Sequence, residues 1–269
     1  MKYTWILMMI AGVFTLTSCE KVISVNLNNA DKKYVVEATL TNQPGSAKVL
    51  ISQTRDFDAN NDFSGISGAQ VSITDGNGNI TTLPETSPGT YMAASLKGVP
   101  GTKYSLRVSF NEQLFTSEST MPQPVALDSL YITDEALFGD TRKTANIQYK
   151  DPAGIANNYR FVLYINDKKN KTIFVRNDEL SDGRAVSRPL WIRNDDKDNK
   201  EANKIHSGDK VTVDMLCIDA NVYKFWYSLD QSATGESNVT PANPVTNIKG
   251  GALGYFSAHT LQSKTITVP

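Results

Sequence analysis

Tyr34-Val35-Val36-Glu37-Ala38-Thr39-Leu40-Thr41-Asn42 leads into Gln43-Pro44-Gly45. Ala47-Lys48-Val49-Leu50-Ile51-Ser52-Gln53-Thr54-Arg55 follows after Ser46. This stretch decides the fold. Both flanking runs are rich in β-branched residues, and the Pro-Gly between them supplies turn geometry, so it predicts strand, turn, strand. The pattern recurs downstream at Ala69 to Thr74, Asn79 to Leu83, Thr90 to Ala94, Tyr104 to Phe110 and Gln113 to Ser119. Asp75-Gly76-Asn77-Gly78, Ser87-Pro88-Gly89 and Val99-Pro100-Gly101 punctuate it. Regularly spaced short strands of this kind predict an all-β fold: a sandwich of immunoglobulin or transthyretin type over residues 33–121.

Met121-Pro122-Gln123-Pro124 breaks the pattern. Proline lacks a backbone donor and favours extended chain, so a domain boundary is expected there, with a first domain that folds by itself. A second β-rich domain is expected over 125–269. Its strands are expected at Leu127 to Thr133, Thr144 to Tyr149, Tyr159 to Ile165, Thr172 to Arg176, Ala185 to Ile192 and Lys210 to Ile218. Two more are expected at Gly254 to Thr260 and Lys264 to Val268. One segment, near 220–232, has helical period. After Asp219, a suitable N-cap, Val222, Phe225, Trp226 and Leu229 fall at i, i+3, i+4 and i+7, a stripe for packing on a sheet. Tyr223 and Tyr227 flank it, and the alternative is an aromatic binding platform. In the stretch from Pro244 to Phe256, Gly250, Gly251 and Gly254 mark close backbone approach or positive φ, as in a bend into a late strand.

Upstream of the first strand, Lys2 precedes an apolar run from Trp5 to Leu16 that ends in Leu16-Thr17-Ser18-Cys19. A charged start, a short apolar core and small residues before the cut describe a secretory signal. The run is too short for the roughly 20 residues of a membrane span. Cysteine directly after Leu-Thr-Ser makes residues 1–18 a lipoprotein signal peptide. Cys19 is then the lipidation site, and 19–32 a polar tether. Each buried acyl CH₂ contributes about 0.8 kcal/mol, so several chains on one cysteine anchor stably in membrane lipid.

Composition excludes some classes. The chain has 27 Lys+Arg against 28 Asp+Glu, and removing residues 1–18 takes away only Lys2, so 26 against 28 leaves a net charge of −2. That is neither a nucleic-acid footprint nor a polybasic membrane patch. With Cys19 lipidated, Cys217 stands alone and no intramolecular disulfide forms. Alternation puts Val211, Val213, Met215 and Cys217 on one strand face, where a buried, inert thiol is expected.

Candidate chemistry is sparse. Asp56, Asp58, Asn60, Asn61 and Asp62 crowd one loop, and Asp195, Asp196, Asp198 and Glu201 another. Calcium takes six to eight oxygens, but neither spacing matches the twelve-residue calcium loop, and solvated loops are the simpler reading. Asp75-Gly76-Asn77-Gly78-Asn79 is placed as a hairpin turn. There is no Gly-x-Ser-x-Gly elbow and no His-Glu-x-x-His pair. His206 and His259 cannot build a three-histidine zinc site. No phosphate-loop or dinucleotide fingerprint occurs, and no cofactor or resident metal is expected.

Cys19-Glu20-Lys21-Val22-Ile23, Tyr34-Val35-Val36-Glu37-Ala38 and Thr41-Asn42-Gln43-Pro44-Gly45 resemble the opening of a large Bacteroidetes family of outer-membrane lipoproteins with a domain of unknown function. Ser67-Gly68-Ala69-Gln70-Val71-Ser72-Ile73-Thr74-Asp75 with Pro88-Gly89-Thr90-Tyr91 is similar to that family's immunoglobulin-like repeat, and to carboxypeptidase regulatory-like domains generally. Asn247-Ile248-Lys249-Gly250-Gly251 resembles its C-terminal signature. The resemblance implies a lipoprotein of the outer membrane, often encoded beside TonB-dependent receptors, and carries no catalytic residues to transfer. The expected function is a non-enzymatic accessory or ligand-binding partner of a nutrient transporter or other envelope protein. A glycan-binding or adhesive module is the first alternative, with Trp191, Tyr223, Trp226, Tyr227 and Tyr255 as its contact aromatics. A hydrolase built on spatially paired carboxylates is the second.

Overall fold

The computed structural model describes residues 31–55, 64–137, 140–193, 204–234 and 243–269. The signal peptide, Cys19, the tether up to residue 30 and both acid-rich loops lie outside the described residues. The described chain is all-β with one short helix.

In chain order the first strands are β1 (Tyr34–Thr41), β2 (Ala47–Gln53), β3 (Gln70–Thr74) and β4 (Ile80–Leu83). Next come β5 (Glu85–Ser87), β6 (Thr90–Ala93), β7 (Lys103–Phe110) and β8 (Gln113–Thr120). One layer runs β5-β6-β2-β1 and the facing layer β4-β3-β7-β8. Alternation sends Val36, Ala38 and Leu40 of β1, Val49 and Ile51 of β2, and Leu106 and Val108 of β7 into one core between them. The β7–β8 hairpin turns on Asn111 and Glu112, both at positive φ (46° and 63°), the signature of a two-residue turn that matches strand twist. The Asp75 segment is a turn as expected. The Asp75 carboxylate accepts the Asn79 side-chain amide and the backbone N–H groups of Asn79 and Asn77, which hold its pKa below the usual range.

The remaining elements are β9 (Leu127–Leu137), β10 (Asp140–Lys150), β11 (Asn158–Ile165), β12 (Lys168–Lys169) and β13 (Phe174–Asn177). After them come β14 (Ala185–Pro189), β15 (Lys210–Ile218), helix α1 (Ala220–Thr234) and β16 (Leu253–Thr267). β14-β10-β9 form a three-stranded sheet. Its inner face meets Tyr159, Phe161 and Leu163 of β11 and Val211, Val213, Met215 and Cys217 of β15 in a second core. The four β15 residues therefore share one face, and the Cys217 thiol is buried. The opposite face of these strands, through Val162, Leu216 and Ile218, receives Val222, Phe225 and Trp226 of α1. A sheet covered on both faces needs apolar residues at successive positions, which Phe161-Val162-Leu163 and Leu216-Cys217-Ile218 supply.

Two strands expected near the C-terminus are one long strand, β16. Its first half, from Leu253 to His259, pairs in parallel with β1, and its second half, from Thr260 to Thr267, pairs antiparallel with β15. Met121 belongs to the first core and Val125 to the second, with Pro122 and Pro124 between them. β16 nonetheless carries one continuous sheet past that point, and Ile248, Ala252, Phe256 and Ala258 complete the first core. The strands of the described residues and α1 lie in one compact unit, Lys32–Thr54 with Asn61–Pro269.

The glycines before β16 make the close pairing possible. Gly254 has φ +101°, and a Cβ there would sit 2.1 Å from the Val36 carbonyl oxygen. Asn247 fills the remaining gap. Its side chain donates to the Phe256 carbonyl at 2.8 Å and accepts the Phe256 N–H at 2.9 Å. Thr116 and Lys249 exchange backbone hydrogen bonds at 3.1 and 2.7 Å, which ties β8 to the same segment.

Candidate functional site

Asp219 starts the helix and ties it to the first core. Its Oδ1 accepts the N–H groups of Asn221 and Val222, both at 2.9 Å, satisfying two donors of the first turn. Its Oδ2 accepts the Ser119 hydroxyl and the Thr120 N–H of β8. The stripe then places the five candidate aromatics in different surroundings. Trp226 and Tyr255 are each only 8% exposed. They pack edge-on at 5.1 Å, with Phe225 against both. They have no free face for a ligand, because the helix buries them against the sheet. Tyr223 and Tyr227 lie one turn apart with stacked rings 5.7 Å between centroids. Tyr227 is 48% exposed and Trp191 43%, while Tyr223 is half-buried. Arg193, two residues after Trp191, forms an ion pair with Asp230 of α1.

Beneath the helix lies a cation that composition does not reveal. The Arg160 guanidinium carbon sits 3.3 Å from the Trp226 ring centroid, a stacked arrangement whose contribution grows with desolvation to about 2 kcal/mol. Burial pulls the Arg160 pKa down, and Tyr255, Tyr164 and Glu37 oppose that shift. Four residues after Tyr255, His259 is buried at the point where β16 changes partner, its Nδ1 2.9 Å from the Ser257 hydroxyl. Burial is the main cause that holds its pKa down at about 4.

Among the described residues, a group of three carboxylates lies elsewhere. Asp151, directly after β10, and Asp178 and Asp182, in the turn after β13, bring one carboxylate oxygen each within 4.8 Å of one another. Asp151 is fully buried. Its Oδ1 accepts the Tyr159 hydroxyl, and its Oδ2 is buried with no hydrogen-bond partner. Burial raises the Asp151 pKa, the charges of Asp178 and Asp182 raise it further, and the Tyr159 hydrogen bond opposes them. Asp178 Oδ2 accepts the Asn157 N–H at 2.6 Å, and Asp182 Oδ1 the Gly154 N–H at 2.7 Å. This trio is the place where the described residues could hold a metal ion. Its three positions escape a reading of the chain because β11, β12 and β13 separate Asp151 from the other two, and no metal-ligand spacing spans that gap. The local hints are the paired turns Asp151-Pro152-Ala153-Gly154 and Asp178-Glu179-Leu180-Ser181-Asp182-Gly183.

Residues 20–265 match the family described as Domain of unknown function (DUF4249). The chain belongs to that family. The DUF4249 match begins at the residue after Cys19 and takes in the first core, all of the second but Val268, α1, the aromatic pair on the helix and the three aspartates. No curated protein matches the chain. Membership in DUF4249 therefore carries the domain's extent and no reaction.

Proposed function

We propose that this chain is a non-enzymatic Bacteroidetes outer-membrane lipoprotein that acts as an accessory or ligand-binding partner of a nutrient transporter, such as a TonB-dependent receptor. The observation that carries the reading is the junction at Cys19. The string Leu16-Thr17-Ser18-Cys19 closes a signal-like segment, and the DUF4249 match starts at Glu20. Lipidation at Cys19 would leave the whole matched domain outside the cytoplasm, on a tether from Cys19 to Lys33 that spans at most about 50 Å. A large, continuous sheet on a short tether suits a protein that holds a partner close to the membrane.

Crosslinking of intact cells, followed by purification of the chain from outer membranes at native expression, tests the partner. Recovery of a transporter with it is expected, and recovery of the chain alone sinks the claim. Labelled fatty acid should enter the native chain and not Cys19→Ala, which should leave the membrane fraction or stall as precursor. A glycan-binding role is the second reading, favoured by the stacked Tyr223–Tyr227 pair and the exposed Trp191. Tyr227→Ala should then weaken retention on a glycan column without lowering stability.

A further inference from the structure

We propose that Asp151, Asp178 and Asp182 form a calcium site. The three carboxylates each present an oxygen within 4.8 Å of the others. Calcium binds oxygen at about 2.4 Å, so two ligands of one ion stand no more than about 4.8 Å apart, and these three oxygens meet that limit. Each carboxylate is also held by the protein through one oxygen: Asp151 by the Tyr159 hydroxyl, Asp178 by the Asn157 N–H and Asp182 by the Gly154 N–H. Those bonds hold the three carboxylates in place beside one another.

The independent pointer is Asp151 Oδ2. It belongs to a fully buried side chain and has no hydrogen-bond partner. A buried carboxylate oxygen left unpaired beside two further carboxylates is costly in the apo protein. A divalent cation removes both the unpaired acceptor and the like-charge repulsion. Magnesium keeps most of its waters and is held by one or two carboxylates, so three anionic oxygens on fixed loops favour calcium. Asp178 is half-buried and Asp182 exposed, which leaves a side open for entry and for water ligands.

The test uses purified full-length protein in detergent, titrated with Ca²⁺ after treatment with chelator. Thermal unfolding should move up by about 5–10 °C at a Ca²⁺ concentration near a hundred times Kd. Mg²⁺ at the same concentration should do less. Asp182→Asn keeps the acceptor for Gly154 and removes one charge. It should weaken Ca²⁺ binding at least about tenfold, while melting in chelator no lower than the native protein does. Terbium luminescence, excited through tyrosine and displaced by Ca²⁺, gives a reading on the native chain that needs no variant, since Tyr159 touches the Asp151 ligand. A native melting temperature that is the same in Ca²⁺ and chelator overturns the proposal. So does terbium that calcium does not displace, or an Asp182→Asn variant that binds Ca²⁺ as the native chain does.

Discussion

At the scale of single residues, buried ionisable groups set the response to pH. His259 is buried and neutral in the fold, with its pKa held at about 4 against 6.5 when exposed. Between those values the unfolded chain binds a proton that the folded chain refuses. This contribution to stability is therefore complete above about pH 6.5, declines as pH falls towards 4 and is lost below it. The full span corresponds to about 3 kcal/mol. Chemical denaturation at a series of pH values should show the native chain losing stability faster than His259→Gln as pH drops through this window. Equal slopes would mean that the imidazole is solvated. Arg160 shows a different solution for a charge beneath a helix. Its guanidinium stacks on Trp226 and keeps its place through ring contact.

Among the elements, α1 depends most visibly on one side chain. Asp219 caps it with one carboxylate oxygen and holds β8 with the other. Asp219→Ala should lower unfolding free energy by about 1–3 kcal/mol, combining the loss of a cap with the loss of hydrogen bonds to a charged group. Asp219→Ser retains a capping oxygen and should recover part of that loss, as read by denaturant midpoints. An effect of Asp219→Ala below about 0.5 kcal/mol would show that packing of Val222, Phe225 and Trp226 alone fixes the helix. The stripe and its cap were legible in the sequence because helical period and N-cap chemistry are local. Trp226, on that stripe, is buried and Tyr227, beside it, is exposed, as the helical period places them. The cation on the Trp226 ring was not legible, because Arg160 comes from a strand far away in the chain.

In the whole molecule, β16 is the element that both cores share. Residues 33–121 taken alone lack Ile248, Ala252, Phe256 and Ala258 of their core and leave β1 with an unpaired edge. A fragment ending at Met121 should therefore show no cooperative transition, whereas the mature chain should. Phe256→Ala, 0% exposed in the native fold, should destabilise the mature chain by about 3–5 kcal/mol. A fragment of 33–121 that unfolds cooperatively by itself would show that β16 only decorates the first sandwich. The proline pair at Pro122 and Pro124 signals where the chain passes from one core to the other. It carries no information about a strand that returns from more than a hundred residues away.

The strands, their turns and the inward face of β15 follow from chemistry local to the chain. Alternation, β-branching and Pro-Gly or Asp-Gly turns act over a few residues, so β1, β7 or β15 can be read from their own composition. Local chemistry also determined the helix at Ala220–Thr234 and the bend at Gly250, Gly251 and Gly254, where φ values of 100°, 90° and 101° suit glycine. That Gly254-Tyr255-Phe256 and Lys264-Thr265-Ile266 belong to one strand with two different partners emerges from the assembled fold. Strand pairing is a non-local choice made by the edges on offer, and no period in the chain encodes it. The same holds for Asp151, Asp178 and Asp182, which the pairing of β11 with β13 brings together from positions 27 and 31 residues apart. Their meeting depends on the path of two loops through space, and the identity of each aspartate alone says nothing of its neighbours.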